Sequence, residues 1–413
     1  MSNDLFCDQL QSVCGDKCTA CGSCVQICPK KCISYKKNEF GTVKAIKDMN
    51  VCCSCKLCEK ACPQLNDLVW NYPLESYAAW SMDQKIRETS ASGGIATELY
   101  RYCSRSGYYY SGVIMNDNLS PEYRLYHSEK EFVAFQNSKY VHSDTNTIYF
   151  EIGELLKHNK KVLFIGIPCQ VAGLQQYLKA KKVSDNNLVV VDIVCHGTTE
   201  KHFLQEHITS IEKKYNKTAT DVFFRDPEEG THTFTFSLKE GMNTFYKKKV
   251  HRNDTYQVGY HYGITYRDNC YECKYARRER VGDITLSDYS GLGKAAPCAY
   301  GPRNVSCILV NTLKGKQLVL NLKDVLIHAD RRPLSEELDN EKQLNHPTIE
   351  CEMRKVYLAE LKKTGNFETA MNMAAKKQFV INEMRYYLQI EKIKSIASKI
   401  VPVRIKKLLR KII

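Results

Sequence analysis

Eight cysteines near the start of the chain form two runs with one repeated spacing. The first run is Cys18, Cys21, Cys24 and Cys28, followed by Pro29, and the second is Cys52, Cys55, Cys58 and Cys62, followed by Pro63. In such a run three thiolates bind one iron–sulfur cubane and the fourth reaches the other cubane. The spacing therefore predicts two 4Fe-4S clusters, with the ligand sets Cys18, Cys21, Cys24 and Cys62 for one and Cys52, Cys55, Cys58 and Cys28 for the other.

A pair of zinc sites is the competing interpretation, because thiolates at related spacings also suit tetrahedral zinc. Zinc needs only four ligands in two pairs, whereas this run is three plus one, doubled, with a proline after each last cysteine. A disulfide framework is disfavoured because the chain has 413 residues and eight of its 20 cysteines belong to these runs. We therefore expect a reducing, cytoplasmic compartment.

Composition limits the class of protein. A chain of 413 residues with 43% hydrophobic residues can form two or three domains and bury a large core. The N-terminus lacks the basic and apolar regions of a signal peptide, and the longest apolar stretches are too short to span a bilayer. The formal charge of +14 favours an acidic partner. No nucleic-acid-binding motif is present, so nucleic acid is not the partner we expect.

The elements that must position the cysteines fall into three segments. Residues 1–70 are predicted to be an α+β, ferredoxin-like module with two clusters and short hairpin strands at 32–35 and 43–46. Residues 75–347 alternate apolar β-rich runs with amphipathic helical patterns, which predicts an α/β domain with a mainly parallel central sheet. Residues 350–413 are predicted to be a helical, basic C-terminal tail.

A second set of cysteines belongs to the α/β segment. Cys169 and Cys195 follow two continuous Val/Ile/Leu strands, so they are expected at one edge of a parallel sheet. Cys270 and Cys273 form a C-x2-C pair, which cannot complete a metal site alone. Inert buried thiols, a half zinc knuckle or a redox dithiol are the alternatives. Together the four thiolates would permit a third cluster.

A Ser-Gly-Gly loop precedes the amphipathic helix predicted at 95–104. Ser92 is expected to cap this helix, and Gly93 and Gly94 would let a phosphate or pyrophosphate approach its backbone. A capped helix without any ligand is the alternative interpretation.

Six segments in order resemble one known family. They are 92–94, 137–141, 166–174, 192–197, 270–273 and 282–288. This order is similar to that of the family of coenzyme F-420 hydrogenase/dehydrogenase beta subunits, and the resemblance extends over about residues 75–347. Many bacterial relatives look like this chain, with a two-cluster ferredoxin module in front, and some are found among polysaccharide-biosynthesis genes.

The resemblance implies an iron-sulfur flavoprotein oxidoreductase. It implies FAD in the large domain, a 4Fe-4S cluster held by Cys169, Cys195, Cys270 and Cys273, and electron exchange with a deazaflavin (coenzyme F-420) or another two-electron acceptor. It also implies flavin or substrate contact for the loop Ser92, Gly93, Gly94 and for Ser138, Lys139, Tyr140.

Two departures from the family pattern concern the substrate. The family often has an aromatic pair followed by glycine after its glycine–aspartate strand, whereas this chain has Tyr289, Ser290 and Gly291. Its frequent threonine before Pro-Cys-Gln is Ile167 here. The first change alters a stacking wall, and the second removes a hydroxyl beside Cys169. Both put the deazaflavin substrate in question.

These features predict a relay in which clusters carry single electrons and a flavin exchanges an electron pair with a small organic molecule of unknown identity. The expected protein partner is a ferredoxin-like electron donor or acceptor. His196, beside Cys195, is expected to protonate or orient a group near the flavin, although a structural histidine is the alternative. The alternative function is a non-enzymatic electron-transfer subunit that connects a partner enzyme to its electrons.

The end of the chain alternates basic and apolar residues from 392 to 413. A basic amphipathic helix can lie on an anionic membrane surface, which would give peripheral contact at the inner face of the membrane. A terminal helix that packs its Leu/Ile stripe onto the large domain is the alternative.

Overall fold

A computed structural model describes residues 10–388. The strands are β1 (Leu10–Ser12), β2 (Ile33–Lys37), β3 (Val43–Asp48), β4 (Glu75–Ser81), β5 (Tyr109–Met115), β6 (Pro121–Tyr126), β7 (Val162–Gly166), β8 (Leu188–Ile193), β9 (Asp221–Phe223), β10 (Thr235–Glu240), β11 (Asn243–Lys249), β12 (Ile284–Asp288), β13 (Ser306–Val310) and β14 (Ile327–Arg332). The helices are α1 (Ser23–Ile27), α2 (Leu57–Lys60), α3 (Gln84–Thr89), α4 (Ile95–Arg105), α5 (Ile148–Lys157), α6 (Pro168–Lys181), α7 (Lys201–Tyr215), α8 (Thr255–His261), α9 (Leu313–Leu322), α10 (Leu334–Leu338), α11 (Glu352–Thr364), α12 (Phe367–Ala374) and α13 (Lys376–Tyr387).

The N-terminal segment contains a three-stranded antiparallel sheet in the order β1-β3-β2. Its hairpin β2–β3 confirms the two short strands predicted between the cysteine runs. The short helices α1 and α2 each lie within one cysteine run, so cysteines of both runs are placed beside this small sheet.

The large sheet has eight strands in the order β14-β4-β13-β12-β8-β7-β5-β6. Only β12, β8, β7 and β5 are mutually parallel, and the remaining strands pair in antiparallel fashion on both sides of them. The predicted mainly parallel sheet is therefore wrong as a description of the whole: the sheet is mixed with a parallel centre. The reason is that β4 comes early in the chain but pairs between β13 and β14, which come near its end.

Helices cover both faces of the parallel centre. On one face Ile95 and Leu99 of α4, together with α9, pack on Leu163 and Val191. On the other face α5 and α6 pack on alternate residues of the same strands, such as Phe164. Because β7 and β8 are buried on both faces, their sequences are nearly continuous Val/Ile/Leu runs, which is how they were predicted.

A separate apolar cluster joins the second small sheet to the C-terminal helices. The sheet has the order β11-β10-β9, and α7, α8, α11 and α12 pack around it. The helical C-terminal region is confirmed through α13. The predicted membrane-facing end, from 392 onward, lies outside the described residues. Among residues 10–388 no helix is both long and apolar enough to cross a membrane.

Candidate functional site

Four cysteines from both runs surround a cavity at the exposed end of the N-terminal segment. They are Cys28, Cys52, Cys55 and Cys58, which we call the outer cysteine group. The cavity has a volume of about 100 Å³. Cys28 belongs to the first run, so the fold brings the fourth cysteine of one run to three cysteines of the other. This is the exchange of ligands that the spacing predicts for two cubanes.

The other four cysteines of the runs are Cys18, Cys21, Cys24 and Cys62, the inner cysteine group, and all are buried. They are close enough to interact electrostatically: burial, with the charges of Cys21, Cys18 and Cys62, raises the pKa of Cys24. The inner group thus also combines three residues of one run with one of the other.

Each group has a further cysteine that sequence reasoning missed. Cys14 lies against Cys18 and Cys62; its thiol hydrogen bond lowers the pKa of Cys18 to about 6. The Sγ atoms of Cys32 and Cys28 are 3.5 Å apart. The available signal was positional, because Cys14 precedes the first run by four residues and Cys32 follows it by four.

The third cysteine group is Cys169, Cys195, Cys270 and Cys273, and all four line a single small cavity of about 30 Å³. Cys169 lies in the first turn of α6, directly after β7, and Cys195 follows β8, so the end of the parallel strands brings them together as expected. The C-x2-C pair comes from the segment between α8 and β12, where Cys270 ends a short 3-10 helix, and both of its cysteines line the cavity.

The chemistry of this third group suits a bound metal cluster. Burial, followed by the charges of Cys195 and Cys273, raises the pKa of Cys169. Burial and Cys270 raise the pKa of Cys273 to about 11. Within residues 10–388 no three donor side chains are arranged around a single metal ion. Four partly buried thiols that oppose one another's ionisation become thiolates when the charge of a bound cluster compensates them.

The inner and third cysteine groups are in contact through α6. A Cβ atom added at Gly173, one turn after Cys169, would lie 3.1 Å from both Cβ and Sγ of Cys21. The Tyr149 hydroxyl lies 2.7 Å from the carbonyl oxygen of Cys21 and 2.8 Å from that of Gln170, so it bridges the two segments. The absent side chain at Gly173 therefore allows the backbone of α6 to approach Cys21 closely.

A buried ion pair fixes the N-terminal sheet to the large domain. Arg267 Nη1 donates to Glu200 Oε1 at 2.6 Å, and both side chains are almost inaccessible to water. The N–H of Val43 donates to the same Oε1 at 2.8 Å, and Arg267 Nη2 donates to the Val43 carbonyl at 2.7 Å. The pair thus satisfies both backbone groups of Val43 on β3.

A large cavity of about 550 Å³ opens at the carboxyl ends of the parallel strands. This volume is in the range of cofactor sites. Its wall is shared with the cavity of the third cysteine group, and the residues that line both are Ile167, Cys195, His196, Gly197 and Thr198. Because Cys195 lines both cavities, a group bound in the large cavity would lie directly beside the third cysteine group.

The Ser-Gly-Gly loop lies at one end of the large cavity. Gly94, with φ +86°, is the N-cap of α4, and no side chain caps this helix. The cap expected of Ser92 is wrong, because its hydroxyl donates to the Val305 carbonyl at 3.0 Å. Gly94 and the first residues of α4 line the cavity, so uncapped N–H groups are available to an anion there.

Gly93 faces away from the cavity, into the sheet. A Cβ atom there would lie 2.4 Å from the Ala79 carbonyl oxygen and 2.8 Å from the Ser306 nitrogen. Close approach to β4 and β13 therefore requires glycine at this position, and the structure gives it a supporting place rather than a place in the cavity wall.

Ser138, Lys139 and Tyr140 all line the large cavity. The Lys139 ammonium is buried and donates to three carbonyls, those of Phe135, Gln136 and Asn137. Burial lowers the pKa of Lys139 to about 7. Its donors organise the loop, so its effect on a bound anion would come from its charge.

An aromatic wall faces this loop, and sequence reasoning missed most of it. Tyr140 stacks on Tyr260 with ring centroids 4.4 Å apart. Arg225 lies over Phe234 at 4.2 Å, and its Nη1 pairs with Asp288 at 3.1 Å. The residues come from β10, α8 and β12 or the segments beside them. Their only sequence signal was an aromatic-rich region without a motif.

His196 lies at the junction of the two cavities, with its side chain half exposed. Its Nε2 is 3.7 Å from Oε1 of Glu341. Tyr289 does not line the large cavity but packs in the core, where its hydroxyl donates to Glu336 at 3.3 Å. Ile167 lies in the shared wall.

Family models match this chain over more than half of its length. Residues 76–148 match the N-terminal part, and residues 159–329 the C-terminal part, of the coenzyme F420 hydrogenase/dehydrogenase beta subunit. The chain therefore belongs to the family of coenzyme F420 hydrogenase/dehydrogenase beta subunits, as the resemblance of its motifs predicted.

Individual relatives match parts of the chain. A subunit of the F420H2 dehydrogenase of Methanosarcina mazei is 22% identical over 189 residues, which are 44% of this chain and 53% of the relative. An uncharacterized ferredoxin of Methanocaldococcus jannaschii is 40% identical over 48 residues, which are 12% of this chain and 61% of that protein. The chain thus spans only about half to three fifths of these relatives.

A chain of the F420-reducing NiFe hydrogenase complex from Methanosarcina barkeri is a structural neighbour. It is 16% identical with a TM-score of 0.42, covering 73% of this chain and 91% of that one.

The ferredoxin relative and the cysteine-rich N-terminus suggest 4Fe-4S clusters and iron-sulfur electron transfer in this chain.

Proposed function

We propose that this protein is an iron-sulfur flavoprotein oxidoreductase that passes electrons between a protein carrier and a small organic two-electron substrate. The observation that carries the proposal is the wall formed by Ile167 and residues 195–198, which is common to the third cysteine group and the large cavity. A cluster on one side and a flavin on the other would exchange electrons across it.

The cysteine groups would hold three 4Fe-4S clusters. The outer, inner and third groups follow one another from the exposed end of the N-terminal segment to the large cavity. Cys21 of the inner group contacts α6, which carries Cys169 of the third. In this proposal residues 1–70 form the electron-entry module, 75–347 form the flavin domain, and 350–413 form the helical tail.

FAD is the group proposed for the large cavity. The first turn of α4 would bind its phosphates through backbone N–H groups, and the buried charge of Lys139 would favour the same anion. The stacked rings of Tyr140 and Tyr260 offer an apolar surface for a planar ring system. When bound, FAD exchanges single electrons with a cluster and an electron pair with a substrate.

The substrate is proposed to be a deazaflavin-type cofactor or another small organic acceptor. This chain lacks the family's aromatic pair after β12. The cavity nevertheless has stacking surfaces, because Tyr140, Phe234 and Tyr260 line it. His196 lies at the junction of the two cavities, and Glu341, 3.7 Å from it, lines the large cavity; a proton would be exchanged here.

The protein partner is proposed to be an acidic, ferredoxin-like electron carrier. Three lysines and one glutamate line the outer cavity: Lys30, Lys47, Lys56 and Glu59. Lys30 and Lys56 are exposed. Lys31, the residue after Lys30, and Lys60, four residues after Lys56, are exposed as well. Positive charge around the solvent-facing cysteine group would attract a carrier of opposite charge and orient it toward that group.

The test is a measurement of iron and flavin in anaerobically purified protein. We expect about twelve irons and one flavin per chain. Cys169→Ser should reduce the iron content to about eight per chain, because one cubane is lost. Cys351→Ser is the matched control, since the Cys351 thiol donates to the Tyr262 carbonyl and lines neither cavity. Eight irons and no flavin in the unmodified protein would refute the proposal in favour of a simple electron-transfer subunit.

A further inference from the structure

Two buried carboxylates lie together at the rim of the large cavity. Glu337 of α10 is fully buried, and Glu341 is 6% exposed. Ser290 connects them, since its N–H donates to Glu337 Oε2 at 2.9 Å and its hydroxyl donates to Glu341 Oε2 at 2.6 Å. Two carboxylates that share one serine in a buried site favour a state in which one of them holds a proton.

Glu337 is connected to the cavity by a single hydroxyl. Ser287, near the end of β12, lines the cavity and donates to Glu337 Oε1 at 2.6 Å. Glu341 itself lines the cavity, and its other oxygen is 3.7 Å from His196, whose side chain is half exposed. The carboxylate pair therefore extends from the cavity wall toward solvent.

The neighbouring Glu336 differs from Glu337 in that a positively charged side chain compensates its carboxylate. Glu336 forms an ion pair with Arg332 of β14 and accepts from the backbone N–H groups of Gly293, Ala295 and Ala296. Its charge is fully compensated. The partners of Glu337 are neutral, a serine hydroxyl and the backbone after β12.

The surroundings of Glu337 favour its protonated form. Burial, together with the charge of Glu341, raises the pKa of Glu337 to about 7. The other titratable groups that face it are Tyr289 after β12, Cys307 of β13, and the compensated pair of Glu336 and Arg332. A carboxyl group with this pKa can both give and take a proton near neutral pH.

We propose that Glu337 supplies and recovers the proton that accompanies electron-pair transfer in the large cavity, with Ser287 as the connecting hydroxyl. The proposal rests on the proposed function, because only a two-electron centre in the cavity needs a proton there. Glu337 acts through Ser287 and is therefore a positioned proton donor, while the charge of the nearby Glu341 favours its protonated form.

The proton transfer balances in atoms and electrons. An external carrier is oxidised by two electrons, which arrive one at a time, and the acceptor in the cavity is reduced by two electrons and gains one proton. While Glu337 is protonated, its O–H donates to Ser287 Oγ and the Ser287 hydroxyl points into the cavity. The O–H bond of the carboxyl breaks, its proton goes to Ser287 Oγ, and the earlier hydroxyl proton of Ser287 goes to the acceptor. Ser287 then donates to the ionised Glu337. The resulting Glu337 carboxylate then takes the hydroxyl proton of Ser287, and the Ser287 oxygen takes one from water that enters the large cavity.

The decisive variant is Glu337→Gln, which keeps the shape and the acceptor for Ser287 but has no proton to give. In wild-type protein we expect the infrared difference spectrum of reduction to contain a buried carboxyl band, and the rate of flavin reduction to fall as pH rises above about 7. Glu337→Gln should remove the band, abolish this pH dependence and slow reduction at least tenfold. Glu337→Asp should restore the pH dependence in part.

Glu98→Gln is the matched control, because Glu98 is also fully buried but its carboxylate contacts Ser81 and Arg101 and has no hydroxyl that leads to the large cavity. It should leave the carboxyl band in place. A band and a pH profile that persist in Glu337→Gln would overturn the proposal. Wild-type protein that contains no reducible flavin would instead refute the proposed function, so the two failures are distinguishable.

Discussion

Gly173→Ala tests the contact between the inner and third cysteine groups. The new Cβ would lie 3.1 Å from Cβ and Sγ of Cys21 and 2.9 Å from the Tyr149 hydroxyl. Because carbon atoms pack at about 3.5–4.0 Å, these atoms must move by roughly 0.5 Å. Overpacking of this kind costs about 1–3 kcal/mol, whereas alanine stabilises a helix interior by about 1 kcal/mol relative to glycine.

Gly153→Ala is the matched control in the adjacent helix α5. Its Cβ would meet Leu178 and Tyr177 at 3.6 Å, which is ordinary contact. We expect Gly153→Ala to gain about 1 kcal/mol from helix propensity without a penalty. Gly173→Ala should therefore be less stable than this control by about 1–3 kcal/mol, because both replacements gain the same helix propensity.

The assay combines thermal unfolding with electron paramagnetic resonance of the reduced holoprotein. Gly173→Ala should lower the unfolding midpoint relative to Gly153→Ala, change the signal of the cluster proposed at Cys21, and slow electron transfer to the proposed flavin. If the two variants agree in unfolding midpoint, cluster signal and electron-transfer rate, the close packing of α6 against Cys21 is refuted.

Two further predictions concern charge. Asp254 and Glu368 flank buried His207 and, against the effect of burial, raise the pKa of His207 to about 9. Charged His207 contributes on the order of 3 kcal/mol to the free energy of unfolding. This contribution is fully present below pH 6.5 and is lost as pH rises through 9. Thermal unfolding at pH 6 and 10 should show this loss in wild type but not in His207→Gln, and an equal loss in both would contradict it. Electron transfer from a reduced acidic ferredoxin should slow about tenfold between 50 and 500 mM NaCl, and a triple Lys→Gln variant should lose most of this salt dependence. The triple variant changes Lys30, Lys56 and Lys60, and a control variant changes Lys213 and Lys214 to Gln. If the control loses as much of the salt dependence as the triple variant does, the docking surface is refuted.

The sequence was sufficient for the grouping of the cysteines and for the elements with strong periodicity. Strands β7 and β8 were predicted because burial on both faces leaves an apolar run, and the end of those strands brought Cys169 and Cys195 to one cavity. The antiparallel strands were not predicted, because the place of β4 depends on pairing with β13 and β14 more than 200 residues away in the chain.

The cavity wall shows where sequence reasoning ends. Arg225, Phe234 and Tyr260 come from segments whose position against the large cavity is decided by packing of the second small sheet and α8. Glu337 lies in a short helix with two consecutive glutamates, a pattern typical of a solvated surface. Only the fold shows that this side chain is buried beside Ser287.

The hydrogen bonds of Arg267 and Glu200 to Val43 limit how far the N-terminal module can move. Both backbone groups of a strand residue are bound by a water-excluded ion pair, so releasing the N-terminal sheet would leave buried groups of Glu200 and Arg267 without their hydrogen bonds to Val43. The N-terminal module, through which electrons are proposed to enter, is therefore fixed to the body of the protein. Internal electron delivery should then be insensitive to solvent viscosity, and only the encounter with the external carrier should slow in a viscous medium.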